Sequence, residues 1–516
     1  DFSHSRQSRL FCSSSRFRKM SPFRCTEPEI MRHLLPPIIT IALLAGCTAG
    51  PDYAGHPEVV SADTGTRFVR AGSDVSASDP VVARWWLLLG DPELTRLVEA
   101  ALSGNPSLAA AQARIAQARA SIRQDRAGRM PSLGAQATTV QGRLPGLDLQ
   151  GGAPPPSEQT NSDAETDDSL SFFNVGLNAN WELEFAGGSR RRIEASNAQA
   201  AATVANAEDA KVQLTAQVAS TYVNLREAQF RAEQFEAQIS LQEEILALTY
   251  QRYQRGALPL FPVGTANAEL EVLKSQLAEA EADIAVLSDA LAILTGQVPG
   301  SADAALTTVR SIPMPPEQVA IGDPASLVAR RPDIRAAERS LAASTARIGV
   351  AEAARFPKLS FTGILGLGGS SLDDVVDVGE FSALAIPRLQ WNFLDFGRVD
   401  AAIDQTGAAR NEAVANYQQT VLLALQDAER ALARFGQQRV ALAASMQIKK
   451  QADVAADLNR QRFAAGAISK ADLNRALREQ QQASADLVRA KGALTLAWIA
   501  LQKSLGLGWQ EPVRDQ

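Results

Sequence analysis

The chain is poor in the side chains from which metal and nucleophile sites are assembled: 516 residues hold three cysteines and three histidines. It also lacks a long apolar run. The stretch Leu34 to Ala45 is broken by Pro36-Pro37 and is too short to cross a bilayer as a helix. Nor do basic residues dominate, with 51 Lys and Arg against 57 Asp and Glu, a balance that argues against a nucleic-acid partner.

The N-terminal end sharpens these absences. Residues 1 to 30 are basic, rich in Ser and Arg and without an apolar period, so they read as disordered and as an upstream extension from a start assigned too early. Met31, Arg32 and the run ending in Leu44-Ala45-Gly46-Cys47 read as a lipoprotein signal over 31–46 with the lipid on Cys47; a buried helix with an incidental Cys is the other reading. The removed 46 residues hold seven bases and three acids, so net charge moves from −6 to −10, and Cys47 and His56 are left as the last of their kinds. That excludes a disulfide within the mature chain, a His/Cys metal cluster and a Ser-His or Cys-His nucleophile system. No cofactor is expected beyond the covalent lipid on Cys47. Thr48 follows the Cys; Asp there would resemble an inner-membrane retention signal, so Thr favours the outer membrane.

What is present is a long internal repeat. WELEFAGG at Trp181 to Gly188 returns as WNFLDFGR at Trp391 to Arg398, an offset of 210 residues. Arg252-Tyr253 and Gly256 recur at the same offset as Arg462-Phe463 and Gly466. Upstream, Pro106 pairs with Pro332, and Gly128 to Pro131 with Ala354 to Pro357, at an offset of 226. The halves differ by one insertion of about 16 residues before Trp181, so the pattern is duplication of a long unit and no short-period solenoid.

Each unit has the same parts. From Phe173 to Leu183 apolar residues alternate with Asn174, Gly176, Asn178, Asn180 and Glu182, the pattern of a membrane-spanning β-strand or of the edge of a soluble sandwich. A shorter strand from Ser132 precedes it across the acidic, Pro-rich segment 144–168, read as a mobile loop. Lys358 to Leu367 and Phe381 to Phe396 repeat the hairpin. Four strands cannot close a barrel, strands in lipid cannot leave edges unpaired, and a trimer supplies twelve. After each hairpin comes a helix of some 68 residues, about 100 Å long, from Gly188 or Arg398; the second carries Gly407 and Gly436 as interruptions. Turns at Gly256 and Gly466 lead into return helices of about 30 residues, and helices of similar length, Glu93 to Gly128 and Ala325 to Arg355, precede the strands. Two short helices match one long one. The expected fold is a mixed α and β membrane protein: a trimeric 12-strand outer-membrane β-barrel continuous with a long periplasmic 12-column α-helical barrel, built by internal duplication. The chain divides into an upstream extension (1–30), signal (31–46), lipidated tether (47–90), first repeat (91–296, hairpin about 132–185), connector (297–324), second repeat (325–506, hairpin about 358–396) and tail (507–516).

This organisation resembles the outer membrane efflux protein family, the trimeric channel-tunnels of tripartite bacterial pumps, and within it the lipoprotein branch of resistance-nodulation-division systems. The resemblance rests on the box ending at Cys47, GPDY at Gly50 to Tyr53, Trp85-Trp86 with Asp91-Pro92, NPSL at Asn105 to Leu108, WELEF at Trp181 to Phe185, RRPDI at Arg330 to Ile334, GVAEAARFPKLS at Gly349 to Ser360 and LGLGW at Leu505 to Trp509. It implies a homotrimeric exit duct and no enzyme, lodged in outer-membrane lipid with most of its mass in the periplasm. Small-molecule cargo would pass through it from an inner-membrane transporter and a periplasmic adaptor. It implies adaptor-contacting tips at Arg252, Gly256, Arg462 and Gly466, and a gate near Asp472, with Arg475 standing where the family has a second acid.

Alternatives accompany these assignments. Asp472 and Arg475 also fit an ordinary i,i+3 surface pair. Arg331 and Asp333 read as structural, Asp333 capping the helix that follows. Glu182 and Glu184 in isolation suggest glycosidase chemistry, although polar residues on such a strand are what a wet lumen requires. The remaining alternatives are a polypeptide-secretion duct of the same fold and a non-channel periplasmic structural protein.

Overall fold

The computed structural model describes residues 48–59, 67–72, 75–80, 83–143, 169–301 and 303–509. The extension, the signal, Cys47, the acidic loop and the end of the tail lie outside the described residues.

Asp91 starts the first helix, α1 (Pro92–Gly104), by accepting the N–H groups of Glu93 and Leu94 at 2.8 and 3.1 Å, with Pro92 at a position that needs no N–H. The helix expected over Glu93 to Gly128 is two, because Asn105 ends α1 and caps α2 (Pro106–Ala127) by accepting Ser107 N–H. The strands β1 (Ser132–Arg143) and β2 (Ser169–Leu183) follow. Then come α3 (Gly188–Gln254) and α4 (Phe261–Leu294). The helix expected over Ala325 to Arg355 is two, α5 (Pro324–Arg330) and α6 (Pro332–Ala353), since a residue before proline is driven out of helical geometry and Arg331 sits at ψ 126°. Asp333 lies inside the first turn of α6 rather than at its cap. β3 (Lys358–Gly369), β4 (Phe381–Gln390), α7 (Arg398–Ala464) and α8 (Lys470–Ser504) complete the order.

The sheet is antiparallel in the order β1-β2-β3-β4. β4 stops at Gln390, short of the expected Phe396. Asp395 accepts Gly397 and Val399 N–H at 3.1 and 2.8 Å and so turns the chain into α7. α3 and α7 have 67 residues each, about 100 Å of helix, and Gly407 and Gly436 lie inside α7 without interrupting it.

Around these rods the short helices are stacked in pairs. α3 packs against α2 and α4 and against α6 and α8; α7 packs against α6 and α8. The columns therefore run α2 with α4, α3, α6 with α8, then α7. Where two short helices meet end to end, the joint is built the same way twice. Asn105, at the head of α2, donates Nδ2 to the carbonyl of Leu294, the last residue of α4, at 2.9 Å. Arg331, at the head of α6, donates Nη1 to the carbonyl of Ser504, the last residue of α8, at 2.7 Å, while its other nitrogens hold Asp333 at 2.9 and 2.6 Å. A helix leaves its last carbonyls without partners, and these side chains supply one.

The core lies beside these joints. Trp85, Trp86 and Trp498 are buried with Leu94, Tyr222, Leu225, Tyr417, Leu501 and Leu507. Tyr222 donates its hydroxyl to Asp91 at 2.7 Å, and the Arg226 guanidinium lies 4.7 Å from the Tyr222 ring centre. The N-terminal segment, expected as a tether with little to bury, is instead strapped along the helices. Arg191, 3% exposed, donates to the carbonyls of Ala49 and Gly50 and to Asp52; Tyr53 donates to Glu338 at 3.1 Å. A Cβ on Gly50 would fall 2.3 Å from Gly349 Cα, so this crossing admits only glycine. Further along, Val69 and Arg70 donate their N–H groups to Glu429, and Val75–Ser76 pairs in parallel with Val319–Ala320 of the connector.

If the joints support the stacked columns, Asn105→Ala and Arg331→Ala each lower stability by about 1–3 kcal/mol, with Arg331→Ala the larger because it also strands Asp333. Thermal unfolding of the detergent-solubilised protein reads this; an unshifted midpoint for both variants would show that the carbonyls are served by water instead.

Candidate functional site

The sheet has two chemically different faces and two free edges. In the register Trp181 opposite Phe361 and Leu177 opposite Leu365, one face carries Leu133, Val175, Leu177, Trp181, Phe361, Leu365 and Leu389, all exposed. The other carries Gln136, Asn178, Asn180, Glu182, Ser360 and Thr362, and Thr362 donates its hydroxyl to the Asn180 side chain on that side at 3.2 Å. One apolar and one polar face over 10 to 15 residues suit a wall between lipid and water. Among the described residues β1 and β4 each bond one neighbour and leave their outer backbone edge open.

The junction between sheet and helices is matched in the two halves. Trp181 Nε1 donates to the Arg129 carbonyl at 2.9 Å and Trp391 Nε1 to the Arg355 carbonyl at 3.0 Å. Each indole thus closes the end of the preceding helix while its ring stays partly exposed, 36% for Trp181 and 56% for Trp391, as suits a membrane boundary. Glu182 and Glu184 share one cation, Lys358, at 3.0 and 3.2 Å, and Glu184 also accepts the Ser189 hydroxyl at 2.7 Å. Neither carboxylate is poised as a free acid or base, and their geometry does not support the glycosidase reading.

The far ends of the long helices carry the tip residues. Gly256 and Gly466 both sit at φ 70°, where an L side chain is strained. Ala257 N–H donates to Arg252 O at 2.9 Å and Ala467 N–H to Arg462 O at 2.8 Å, the bond that closes a helix through a left-handed glycine. All four sequence-assigned tip residues, Arg252, Gly256, Arg462 and Gly466, therefore take part in the two turns. The chains after the turns differ. α4 begins without a side-chain cap, behind Leu260 and Phe261 at 61% and 82% exposed. α8 begins with a capping box: Ser469 Oγ donates to Asp472 at 2.7 Å and accepts Asp472 N–H at 3.2 Å. Arg475 reaches the other Asp472 oxygen at 3.4 Å, both side chains being exposed. The structure thus joins Asp472 to Arg475 and adds Ser469, a partner visible in the Ser469-x-x-Asp472 spacing.

Above the tips, polar ties hold α8 to both neighbours. Lys470 meets Glu244 of α3 at 3.1 Å, and Gln480 donates to Asp453 of α7 at 2.7 Å. Among the described residues no His, Cys, Asp and Glu cluster could hold a metal ion. A cleft of about 390 Å³ beside Arg331 is lined by Asp209, Asp427, Arg430, Arg434 and Lys503. Burial and the nearby Asp333 push the Asp209 carboxyl up.

A two-faced sheet seated on helical columns is the geometry of a membrane channel wall. The profile of the outer membrane efflux protein family matches residues 97–297 and 324–507. The pyoverdine export outer membrane protein OpmQ of Pseudomonas aeruginosa is 30% identical over 481 residues, 92% of this chain and 96% of that protein. The toluene efflux pump outer membrane protein TtgI of Pseudomonas putida is 28% identical over 480 residues, 92% and 98% of the two chains. The solved outer-membrane channel OprN, at 30% identity, superposes with a TM-score of 0.77 over 90% of this chain and 100% of its own. The chain belongs to the outer membrane efflux protein family, the outer-membrane channel components of tripartite efflux pumps, and works as a conduit rather than an enzyme.

The capping box carries a pH signature. The Ser469 hydroxyl and N–H, and then Arg475, hold the Asp472 carboxyl below the usual carboxylate range. A depressed folded value means that the cap's contribution is present above the unfolded carboxyl's pKa of about 3.9 and is lost as pH falls through the folded value. Amide exchange over the first turn of α8, corrected for intrinsic rates, should rise as pH drops below about 4, and Asp472→Asn should remove that rise. Equal pH dependence in both proteins would show that the cap does not depend on the charge.

Proposed function

We propose that three copies of this chain close a twelve-strand β-barrel continuous with a twelve-column α-barrel, each protomer arising by duplication of one unit. The assembly is a passive duct from an inner-membrane transporter of the resistance-nodulation-division type, through a periplasmic adaptor, to the exterior. The single observation that carries this reading is the four-stranded sheet with one apolar face and two unpaired edges, set on 67-residue helices. Lipid gives an open edge no hydrogen-bonding water, so four strands are stable there only when other copies complete the ring. Cargo is of the small-molecule class that the relatives' names indicate, toluene and pyoverdine among them.

The lipoprotein assignment gains support from the residues after Cys47. Ala49 N–H donates to the Ala186 carbonyl at 2.9 Å and Thr48 packs on Gly187, beside the Trp181 end of β2. The chain from Thr48 is therefore tied to the membrane-boundary end of the helices. Turns at Gly256 and Gly466 form the end remote from the sheet, and the exposed Leu260 and Phe261 there offer apolar surface to an adaptor. In the trimer, three Asp472 and three Arg475 side chains gather near one axis as the gate. In a narrowed throat, with less water to screen them, such pairs interact more strongly than exposed surface pairs.

Deleting the gene should raise accumulation of pump substrates, and restoring this protein without its adaptor should not bring export back; recovery by this protein alone would defeat the duct reading. In planar bilayers Asp472→Ala should raise resting conductance several-fold at low salt and less at high salt, whereas Asp427→Ala, beside the cleft, should leave it nearly unchanged. No change for Asp472→Ala would move the constriction away from the second tip. Mass spectrometry should find Cys47 lipidated and N-terminal, and Cys47→Ser without lipid; a mature chain retaining residues 1–46 would refute the processing assignment.

A further inference from the structure

The free edges of the sheet can be paired residue by residue, because the two halves correspond so closely. In the first hairpin Ser132 lies opposite Asn180. Advancing the first residue by 226 and the second by 210, the two offsets of the sequence repeat, gives Lys358 opposite Gln390, which is the register of the second hairpin. The same operation applies to the seam inside the sheet. β2 meets β3 with Trp181 opposite Phe361. Advancing the β2 residue by 210 moves it onto the β4 side; taking the β3 residue back by 226 moves it onto β1. The partner strand is then β1 of another copy, with Trp391 opposite Ala135, Leu389 opposite Ala137 and Ile386 opposite Val140.

The side chains test this register independently of the repeat. On the face that carries Gln136 and Asn180, and also Phe172 opposite Val140 and Ile364 opposite Leu384, β1 offers one large apolar residue, Val140, and β4 offers Leu384 and Ile386, at 46%, 55% and 44% exposed. Nothing in the repeat operation refers to polarity, yet it sets Ile386 against Val140 and Leu384 against Gly142, whose Cβ position is open. On the other face it sets the large Trp391 and Leu389 against the small Ala135 and Ala137. A slip by one residue would turn every one of these side chains to the wrong face; a slip by two opposes Ile386 to Gly142 in one direction, and in the other sets Leu384 on Val140 but Ile386 on Thr138 and the large Trp391 on the large Leu133.

We infer that β4 of one copy of this chain pairs antiparallel with β1 of the next in the register Ile386 opposite Val140. This rests on the trimeric reading above and adds its register. Apolar contact of Ile386 with Val140 on one face, together with small partners for Trp391 and Leu389 on the other, then selects that register among those the open edges allow.

Cysteine pairs in the full-length chain decide the matter. Ile386→Cys with Val140→Cys should give covalent dimers and trimers on non-reducing gels of outer membranes after mild oxidation. The slipped pairs, Ile386→Cys with Thr138→Cys or with Gly142→Cys, should give at least about tenfold less, since directly opposed Cβ atoms lie about 4.5–5.5 Å apart and diagonal neighbours are farther than a disulfide spans. The four single variants and the parent chain, which retains Cys47, set the background. Preferential linking through a slipped pair, or through no pair in a protein that still sediments as a trimer, overturns the register and leaves the assembly standing. A monomer by sedimentation overturns both.

Discussion

The structure depends on a length constraint. Each 67-residue helix spans about 100 Å, and among the described residues the only other helix as long is the second rod. Two short helices must therefore be stacked end to end beside it, which brings a helix head against a helix tail in the middle of a packed column. Unpartnered backbone groups at such a joint are costly. Asn105 and Arg331 meet that cost by donating to Leu294 and Ser504, and the buried tryptophans, Tyr222 and Arg226 gather around the same level. The RRPDI motif thus has a physical role: Arg331 is held by Asp333 and ties the second joint together.

From that level the protomer extends in two directions with different chemistry. Toward the sheet, the columns end in indoles bonded to the Arg129 and Arg355 carbonyls, two residues past the helix ends, and the chain enters strands whose faces separate apolar from polar side chains. Toward the tips, the long helices close through left-handed glycines, and the ties between columns become partly exposed ion pairs and amides such as Lys470 with Glu244 and Gln480 with Asp453. Packing of large buried side chains resists movement, while solvated ion pairs contribute little each and exchange readily. A conduit that is rigid at mid-height and adjustable at its periplasmic end follows from where these two kinds of contact lie.

Much of this was legible in the residues themselves. The alternation from Phe173 to Leu183, the repeat offsets, the helix lengths and the turn glycines at Gly256 and Gly466 are local periodicities or local backbone requirements, and the structure places strands, rods and turns accordingly. Boundaries were less legible. β4 ends early because Asp395 captures the next helix's N–H groups, and the helix before β3 splits at Pro332, a break the proline announced. Beside Asp472 and Arg475, the capping role of Ser469 is also a local pattern, carried by the Ser469-x-x-Asp472 spacing rather than by charge.

By itself, then, the sequence determined the repeating unit: which segments are strands, which are helices, how long each is and where the chain turns. Period, length and left-handed backbone positions are properties of neighbours along the chain. The tertiary structure alone decided the contacts between distant residues: Asn105 on Leu294, Arg331 on Ser504, and Arg191 on the carbonyls of Ala49 and Gly50. Each is a side chain reaching a backbone carbonyl, and a carbonyl is present at every residue. No residue type marks the acceptor, so only the folded path of the chain selects it.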